Sequence, residues 1–325
     1  MSILVVIINY RTPELTIDCL TSLAPEIRAV PGTKVVLIDN ASGDDSLPKL
    51  TAAIERHGWR DWVELIASPT NTGFAGGNNL GLETLKDHPE VRFVLLLNSD
   101  TLVEPGMLRY CLGVMEADRS LGLMSCLLLN ADRTVQNTAR KFPTPLRLVA
   151  QDLALPWVLP RLFAWADTED PEWDRRGAAR DVDWVGGAFM LVRRDVIDRI
   201  GGLDDGFFFY GEDAEFCHRI RANGWRVRYD PGAAIVHLGG ASSDPARLAA
   251  RQRNVLQWQA RYLLQRRCYG RSAEWLVRGA DIAGSALRYF KMVALGEAET
   301  PRCQVQRDVL TLLLTWPTAS ASGKT

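Results

Sequence analysis

Apolar residues in this chain gather into short unbroken runs, and each run stops at a cluster of polar side chains. Residues 93–97 (FVLLL) give way to Asn98-Ser99-Asp100, residues 3–8 (ILVVII) stop at Asn9-Tyr10-Arg11, and residues 35–38 (VVLI) stop at Asp39-Asn40. Runs of this length without polar alternation predict strands buried on both faces, the pattern of a parallel sheet covered by helices. Between residues 8 and 35, Leu15, Cys19, Leu20 and Leu23 recur at helical spacing behind Pro13, with Thr12 as the expected cap. Strand, helix, strand in this order reads as a right-handed crossover, which brings Asn9 and Asp39 to one rim of the sheet.

A third strand is expected at 63–67, followed by a stretch rich in glycine and asparagine at 71–79 (NTGFAGGNN). This stretch reads as a loop that lets backbone approach a ligand, or as a structural loop, ahead of a helix over 80–86. A further strand follows at 121–129. From 143 to 173 the pattern dissolves into proline and tryptophan, including Pro171 and Trp173, so the segment reads as a lid, an interfacial excursion or ordinary loop packing. Order returns at 182–192 (VDWVGGAFMLV), where Gly186-Gly187 points to a bulge or to a ligand close to the backbone. Asp195 is expected to cap a helix over 196–200 that Gly201-Gly202 stops. Asp213 opens a helix over 214–223, and short strands at 225–229 and 233–236 lead to His237. Residues 245–316 read as helices rich in arginine, beginning with Arg247, Arg251 and Arg253, ahead of a small-residue tail at 318–325 that is expected to fray.

Composition narrows the classes. With 47% hydrophobic and 24% charged residues over 325 positions, the chain can bury a large core. A net charge of −1 supplies no field for nucleic acid. The six cysteines lie far apart, without the spacing of a zinc or redox motif, as expected of reduced thiols in a cytosol. No basic leader precedes the first strand, and no apolar run reaches the roughly 18 residues of a membrane span. The expected location is cytoplasmic, either soluble or peripheral at the inner face of the cell membrane. After the first strand stands NYRTPE rather than a glycine fingerprint, which argues against a nicotinamide or flavin enzyme.

Several polar positions are candidates for chemistry, each with a plainer alternative. Asp100 emerges where ligands of open α/β sheets sit, and a carboxylate there can bind a hard cation. Alternatively, Asn98 and Asp100 close a turn and cap the helix after Pro105. Asp39 can accept hydrogen bonds from a nucleoside, or cap a helix. In FFFYGEDAEFCHR, residues 207–219, aromatic rings beside Glu212-Asp213 form a low-dielectric wall that tunes a carboxylate for base chemistry, unless the acids merely favour a helix dipole. His237 is a ligand or a structural histidine. The arginine-rich helices lie on an anionic membrane, engage phosphates, or present a solvated face.

In the motifs IINYRTPELTIDCLTSL, VVLIDNASGD, NTGFAGGNN, LLLNSD, WVGGAFMLVRR and FFFYGEDAEFCHRIRANGW, taken in order, the sequence resembles glycosyltransferase family 2, and within it the bacterial rhamnosyltransferase-like branch. The resemblance runs from residue 3 to about residue 237. It implies a GT-A fold, α/β with a Rossmann-like nucleotide-binding, mixed and mostly parallel sheet, helices on both faces and a C-terminal helical extension. The implied domain covers 1–240, with a nucleotide-sugar half at about 1–102 and an acceptor half at about 103–240, before a helical region at 241–317.

By resemblance, Asn9, Arg11 and Asp39 hold the nucleoside, and Asn71, Gly73, Phe74, Gly77, Asn78, Asn98 and Ser99 line the nucleotide-sugar pocket. Asp100 matches the last acid of the family's DxD metal motif, and Asn98 stands where its first acid belongs, so metal binding leans on Asp100, the diphosphate and His237. Trp184, Gly186, Gly187 and Tyr210 border the acceptor. Asp213 matches the catalytic base, with Glu212 as the second candidate. The implied reaction is inverting transfer, dependent on a divalent metal (Mg2+ or Mn2+), of L-rhamnose from dTDP-rhamnose to a hydroxyl of a glycan or polyprenyl-diphosphate-linked saccharide. UDP-hexose or UDP-N-acetylhexosamine donors fit the same scaffold, and a catalytically silent sugar-nucleotide binder is the reading from another class. An anionic membrane surface and a second copy of the chain complete the expected partners.

Overall fold

The structure, a computed structural model, describes residues 2–169, 177–239 and 250–315. Pro171, Trp173, Pro245, Arg247 and the 318–325 tail lie outside these residues, as do the side chains of Arg251 and Arg253.

Each apolar run becomes a strand. β1 (Ile3–Asn9), β2 (Thr33–Asp39), β3 (Val63–Ala67) and β4 (Phe93–Asn98) run parallel in the order β3-β2-β1-β4. The chain builds outward from β1 and then returns to its other side, so the rim at the carboxyl ends of β1 and β4 is a topological switch point. β5 (Thr101–Val103), β6 (Leu121–Leu129), β7 (Val135–Gln136), β8 (Ala139–Arg140), β9 (Arg180–Asp181) and β10 (Trp184–Val185) follow. β11 (Phe189–Arg193) inserts antiparallel between β4 and β6, and β12 (Arg226–His237) lies parallel to β6 and antiparallel to β5. The sheet is therefore parallel from β3 to β4 and mixed beyond, while β8 and β10 form a separate ribbon. The two segments expected at 225–229 and 233–236 are one strand, β12, with an irregularity between Asp230 and Ala234.

The helices are α1 (Pro13–Ala29), α2 (Ser46–Arg56), α3 (Gly73–Glu83), α4 (Met107–Ala117), α5 (Pro145–Asp152), α6 (Leu155–Val158) and α7 (Pro160–Phe163). Then come α8 (Arg194–Ile200), α9 (Glu212–Ala222), α10 (Ala250–Tyr269), α11 (Arg271–Ala294) and α12 (Pro301–Leu314). Successive strand side chains point to opposite faces. Ile3, Val5 and Ile7 pack with Cys19, Leu20 and Leu23 of α1 and with Met107 and Leu108 of α4. Leu4 and Val6 pack with Ala75 of α3, Val196 of α8 and Phe216 of α9. Helices cover both faces, as continuous apolar strands require.

Two local expectations are corrected by close packing and capping. The glycine- and asparagine-rich stretch is not a loop before a helix at 80: α3 already begins at Gly73. Two glycines of α3 serve a close helix–strand approach, because a Cβ at Gly77 would lie 3.0 Å from Ile8 Cδ1 and one at Gly81 only 2.4 Å from Val6 Cγ1. Asp195 sits inside the first turn of α8, whose cap position belongs to Arg193, and Thr12 holds the cap position of α1 without a side-chain hydrogen bond.

The described residues form two compact units, Met1–Phe142 with Glu169–Leu264 and Pro143–Thr168 with Gln265–Thr325. In the second, the described part of the proline- and tryptophan-rich excursion is largely helical: α5 packs on α11, and Gly284 approaches so closely that a Cβ there would lie 2.1 Å from the Asp152 carbonyl. Several arginines are turned to internal use. Arg266 pairs with Glu274, Arg278 is buried, and Arg288 donates to the Asp152 carbonyl at 3.1 Å. Arg267 and Arg271 are exposed, and so are apolar side chains, Trp157 at 89% and Leu162 at 67% among them.

Gly81→Ala is expected to lower stability by about 1–3 kcal/mol, since Val6 is β-branched and buried and cannot step aside. Gly113→Ala, on the exposed face of α4 with nothing near a new Cβ, is expected to raise it by roughly 0.5–1 kcal/mol. Chemical denaturation of the two variants checks the pair.

Candidate active site

Three edges of the first unit meet at the switch point. The first is the end of β1 and β2. Parallel register sets Asn9 opposite Asp39, and both are buried. Asn9 Nδ2 donates to Asp39 Oδ1 at 2.8 Å, and the Ser42 hydroxyl donates to the same oxygen at 2.6 Å. Arg11, at φ 59°, donates from Nε to the Ser42 carbonyl at 2.8 Å, with its guanidinium 5.1 Å from the Tyr10 ring centroid. Asn40 ties β2 to α3: its Nδ2 donates to Asn71 Oδ1 at 3.1 Å and to the Gly73 carbonyl at 3.0 Å, while its Oδ1 accepts from the Thr72 amide at 3.1 Å. A buried amide with both ends engaged fixes the loop it joins.

The second edge is the end of β4. The β5–β12 pairing sets Thr101 opposite His237, and the Leu238 amide donates to the Asp100 carbonyl at 2.9 Å. The Asp100 carboxylate is 2% exposed, and its Oδ1 receives no hydrogen bond although it lies 3.2 Å from His237 Nε2. Asn98 Nδ2 is 3.2 Å from the same nitrogen, and Gln136 Oε1 is 2.6 Å from Nδ1. Of the plainer alternative, the turn is present, with the Thr101 hydroxyl donating to the Asn98 carbonyl at 2.8 Å, but Gly106 and not Asn98 or Asp100 holds the cap of α4.

The third edge is the start of α9, which follows Gly211 at φ 90°. Glu212 is buried with Oε2 unpartnered, and half-buried Asp213 accepts from the Gly187 amide at 3.2 Å and the Ala214 amide at 2.7 Å. Burial raises the proton affinity of Glu212, and the charge of Asp213 adds to it. Burial raises that of Asp213 as well, against the opposing pull of the Ala214 and Gly187 amides and of the Arg140 charge. The aromatic wall is present: the Phe208 carbonyl accepts from the Phe74 amide at 3.1 Å, and Phe209 meets Tyr210 edge-on, with ring centroids 4.5 Å apart.

Together these edges line a cavity of about 530 Å³. Of the residues singled out in the sequence, it gathers Arg11, Asn71, Gly73, Phe74, Asn98, Ser99 and Asp100 with Gly186, Gly187, Tyr210, Glu212, Asp213 and His237. Five others stand behind its wall. Asn9 and Asp39 bond to each other and Gly77 packs on Ile8; the Asn78 amide donates to the Phe74 carbonyl at 3.0 Å and Trp184 Nε1 to the Lys141 carbonyl at 3.0 Å. Asn40, Gln136, Asn137 and Thr138 also line the cavity, and sequence reasoning passed over them. Asn40 carried a signal, a second polar residue at a strand end; the other three lie on or beside two-residue strands that no apolar run announces. Chemically, the cavity presents a buried oxygen–nitrogen pair able to hold a cation and a carboxyl pair of raised proton affinity.

The family model described as glycosyltransferase like family 2 matches residues 2–261. The chain is 29% identical over 231 residues to the N-acetylglucosaminyl-diphospho-decaprenol L-rhamnosyltransferase of Mycobacterium tuberculosis, covering 68% of this chain and 72% of that protein. It is 27% identical over 176 residues to rhamnosyltransferase WbbL of Escherichia coli, covering 51% of this chain and 60% of that one. In fold it is similar to the mannosyltransferase PcManGT of Pyrobaculum calidifontis, solved in complex with GDP-Man and Mn2+, with a TM-score of 0.56 at 16% identity over 96% of this chain and 84% of that one.

Raised proton affinity at Glu212 means that, above the ordinary glutamate range, the folded state holds a proton the unfolded chain has released. Stability therefore falls as pH rises through that window. Glu212→Gln, neutral throughout, is expected to melt above the native chain by a margin that widens from about pH 5 to about pH 8. A margin independent of pH in calorimetry would show that Glu212 is ionised in the fold.

Proposed function

The chain belongs to glycosyltransferase like family 2, and from that premise we propose that it moves L-rhamnose from dTDP-rhamnose to a hydroxyl of a glycan or polyprenyl-diphosphate-linked saccharide, with inversion. The observation that carries this reading is one cavity that holds both the buried Glu212-Asp213 pair and the Asp100–His237 pair. The names of the M. tuberculosis and E. coli relatives favour rhamnose over a UDP-linked hexose or N-acetylhexosamine. The name of the former favours a lipid-linked acceptor.

The donor set fits a divalent cation, Mg2+ or Mn2+. A buried carboxylate oxygen without a hydrogen bond faces an imidazole nitrogen. Among the described residues no group of three or more His, Cys, Asp or Glu could hold a metal, so the protein side of the site is this pair, completed by diphosphate and water. A cation bound there supplies charge neutralisation for the departing nucleoside diphosphate. Arg11 and Asn71 face the donor at the nucleotide rim, while Asn9 and Asp39 hold that rim from behind through Ser42. Phe74, Phe208 and Phe209 exclude water from the reacting carbon.

Asp213, held by the Gly187 and Ala214 amides, takes the proton of the attacking hydroxyl as the sugar passes through an oxocarbenium-like state. Glu212, kept protonated by burial, leaves Asp213 as the single charge of the pair. Gly186, Gly187 and Tyr210 border the acceptor, with Trp184 supporting them from behind.

Asp213→Asn is expected to cut turnover by about 100- to 10,000-fold while the calorimetric donor affinity stays unchanged. In the native enzyme, kcat/KM should fall on the acid side with a midpoint above the ordinary aspartate value of about 4. Near-native turnover in the variant would move the base elsewhere. Donor binding by the native chain without transfer or hydrolysis across an acceptor panel would establish the silent binder instead.

The lipid-linked acceptor places the reaction at a membrane. None of the described helices is long and apolar enough to cross one, and Trp157, Val158 and Leu162 on α6 and α7 offer an exposed apolar edge for peripheral contact. Flotation with anionic vesicles is expected to carry the native chain upward and to lose most of it on Trp157→Ser with Leu162→Ser. Equal recovery of the native chain without vesicles would remove the membrane from the reading.

A further inference from the structure

One hydrogen-bonded relay, used by none of the steps above, runs from the surface into the cavity and ends at His237. We propose that Gln136, held by Asn130, fixes the tautomer of His237 so that Nδ1 carries the proton and Nε2 turns a lone pair toward Asp100. The purpose assigned to it rests on the cation-site reading given above.

The relay is built on the hairpin between β6 and β7, whose register sets Gln136 opposite Leu128. In the turn, Asp132 Oδ1 accepts from the Thr134 amide at 3.0 Å and from the Thr134 hydroxyl at 2.5 Å. An ionised carboxylate only accepts, so the one hydroxyl proton of Thr134 is committed to Asp132. Thr134 Oγ1 is then an acceptor for the Asn130 amide 2.9 Å away, which must present Nδ2 on that side and Oδ1 on the other. That Oδ1 accepts from Gln136 Nε2 at 3.0 Å, which leaves Gln136 Oε1 facing His237 Nδ1 at 2.6 Å.

An amide oxygen has no proton to give, so the bond forms only with Nδ1 protonated. In the neutral ring the other nitrogen then bears the lone pair. The remaining contacts agree with this assignment. Asn98 Nδ2 is a donor 3.2 Å from Nε2, and Asp100 Oδ1, equally distant, receives no hydrogen bond from it. No proton then lies between Nε2 and Asp100 Oδ1, and a cation that displaces the Asn98 donor from the Nε2 lone pair can be shared by the two atoms. Partners behind a metal-binding histidine fix its tautomer in this manner and raise its basicity. Gln136 is thus a positioning residue that acts through His237.

The test reads the tautomer first, without metal. The full chain, labelled with 15N-histidine, is examined by long-range 1H–15N correlation, and the His237 signals among the four histidines are those that vanish in His237→Gln. The expected pattern is protonated Nδ1 with bare Nε2; a ring protonated at Nε2, or at both nitrogens, overturns the proposal without any variant at Gln136. Gln136→Leu removes the acceptor, and the His237 pattern is expected to move to a mixture. An unchanged pattern in a folded variant also overturns the proposal.

Mn2+ affinity, read by electron paramagnetic resonance with a nucleoside diphosphate present, is expected to weaken on the order of 10- to 100-fold in Gln136→Leu and to return in Gln136→Glu, which restores an acceptor. Unchanged Mn2+ affinity in His237→Gln would defeat the cation-site reading itself, separately from the tautomer result.

Discussion

A strand buried on both faces and paired on both edges has no place for a polar side chain until it ends. β1 meets this constraint fully: Ile3 to Ile7 are buried, with β2 on one side and β4 on the other. Polarity is therefore pushed to the carboxyl rim, and parallel register aligns what collects there: Asn9, Asp39 and Asn98 are each the terminal residue of their strand. The covering helix obeys the same constraint, since α3 reaches β1 only where Gly77 and Gly81 remove the side chains that would hold it off. Site and core are two results of one arrangement.

Carboxylates of the rim differ in state because their neighbours differ. Asp39 receives two hydrogen bonds on one oxygen, from Asn9 and Ser42. Asp100, equally buried, receives none on Oδ1 and faces an imidazole. Glu212 and Asp213 stand beside each other with raised proton affinity, and backbone amides temper the effect at both, with the Ala214 and Gly187 amides acting on Asp213. Burial sets the cost of each charge, and the hydrogen bonds around it decide whether that cost is offset.

Much of this was legible in the sequence where one physical signal dominates. The apolar runs identified β1, β2, β4 and β6 to within one or two residues, because a strand buried on both faces leaves no polar position to confuse its limits. Asp100, Glu212, Asp213 and His237 stood out as polar breaks beside such runs, and the fold gathers them in one cavity. Residues 71–79 misled because glycine signals both a loop and a tight helix–strand contact, and nothing local separates the two. Gln136 was silent for another reason: it lies on a two-residue strand, and its importance comes from Asn130 and His237, the latter 101 residues away. Of the arginines of α10 and α11, Glu274 and the Asp152 carbonyl engage two and the fold buries a third, Arg278, while Arg267 and Arg271 remain exposed; spacing alone did not say which would be which.

The helical unit is made from two pieces of chain that are not adjacent in sequence. The carbonyl of Asp152 at the end of α5 meets Arg288 of α11 across 136 residues. During synthesis α5 thus leaves the ribosome long before the helix that covers it exists, while most of the sheet can already assemble. For that interval Leu148 and Ala150, buried in the finished protein, have no cover, beside a Trp157 that stays exposed even at the end. Order of emergence, rather than final stability, makes this middle segment the place where the nascent chain is open to chaperones and to aggregation.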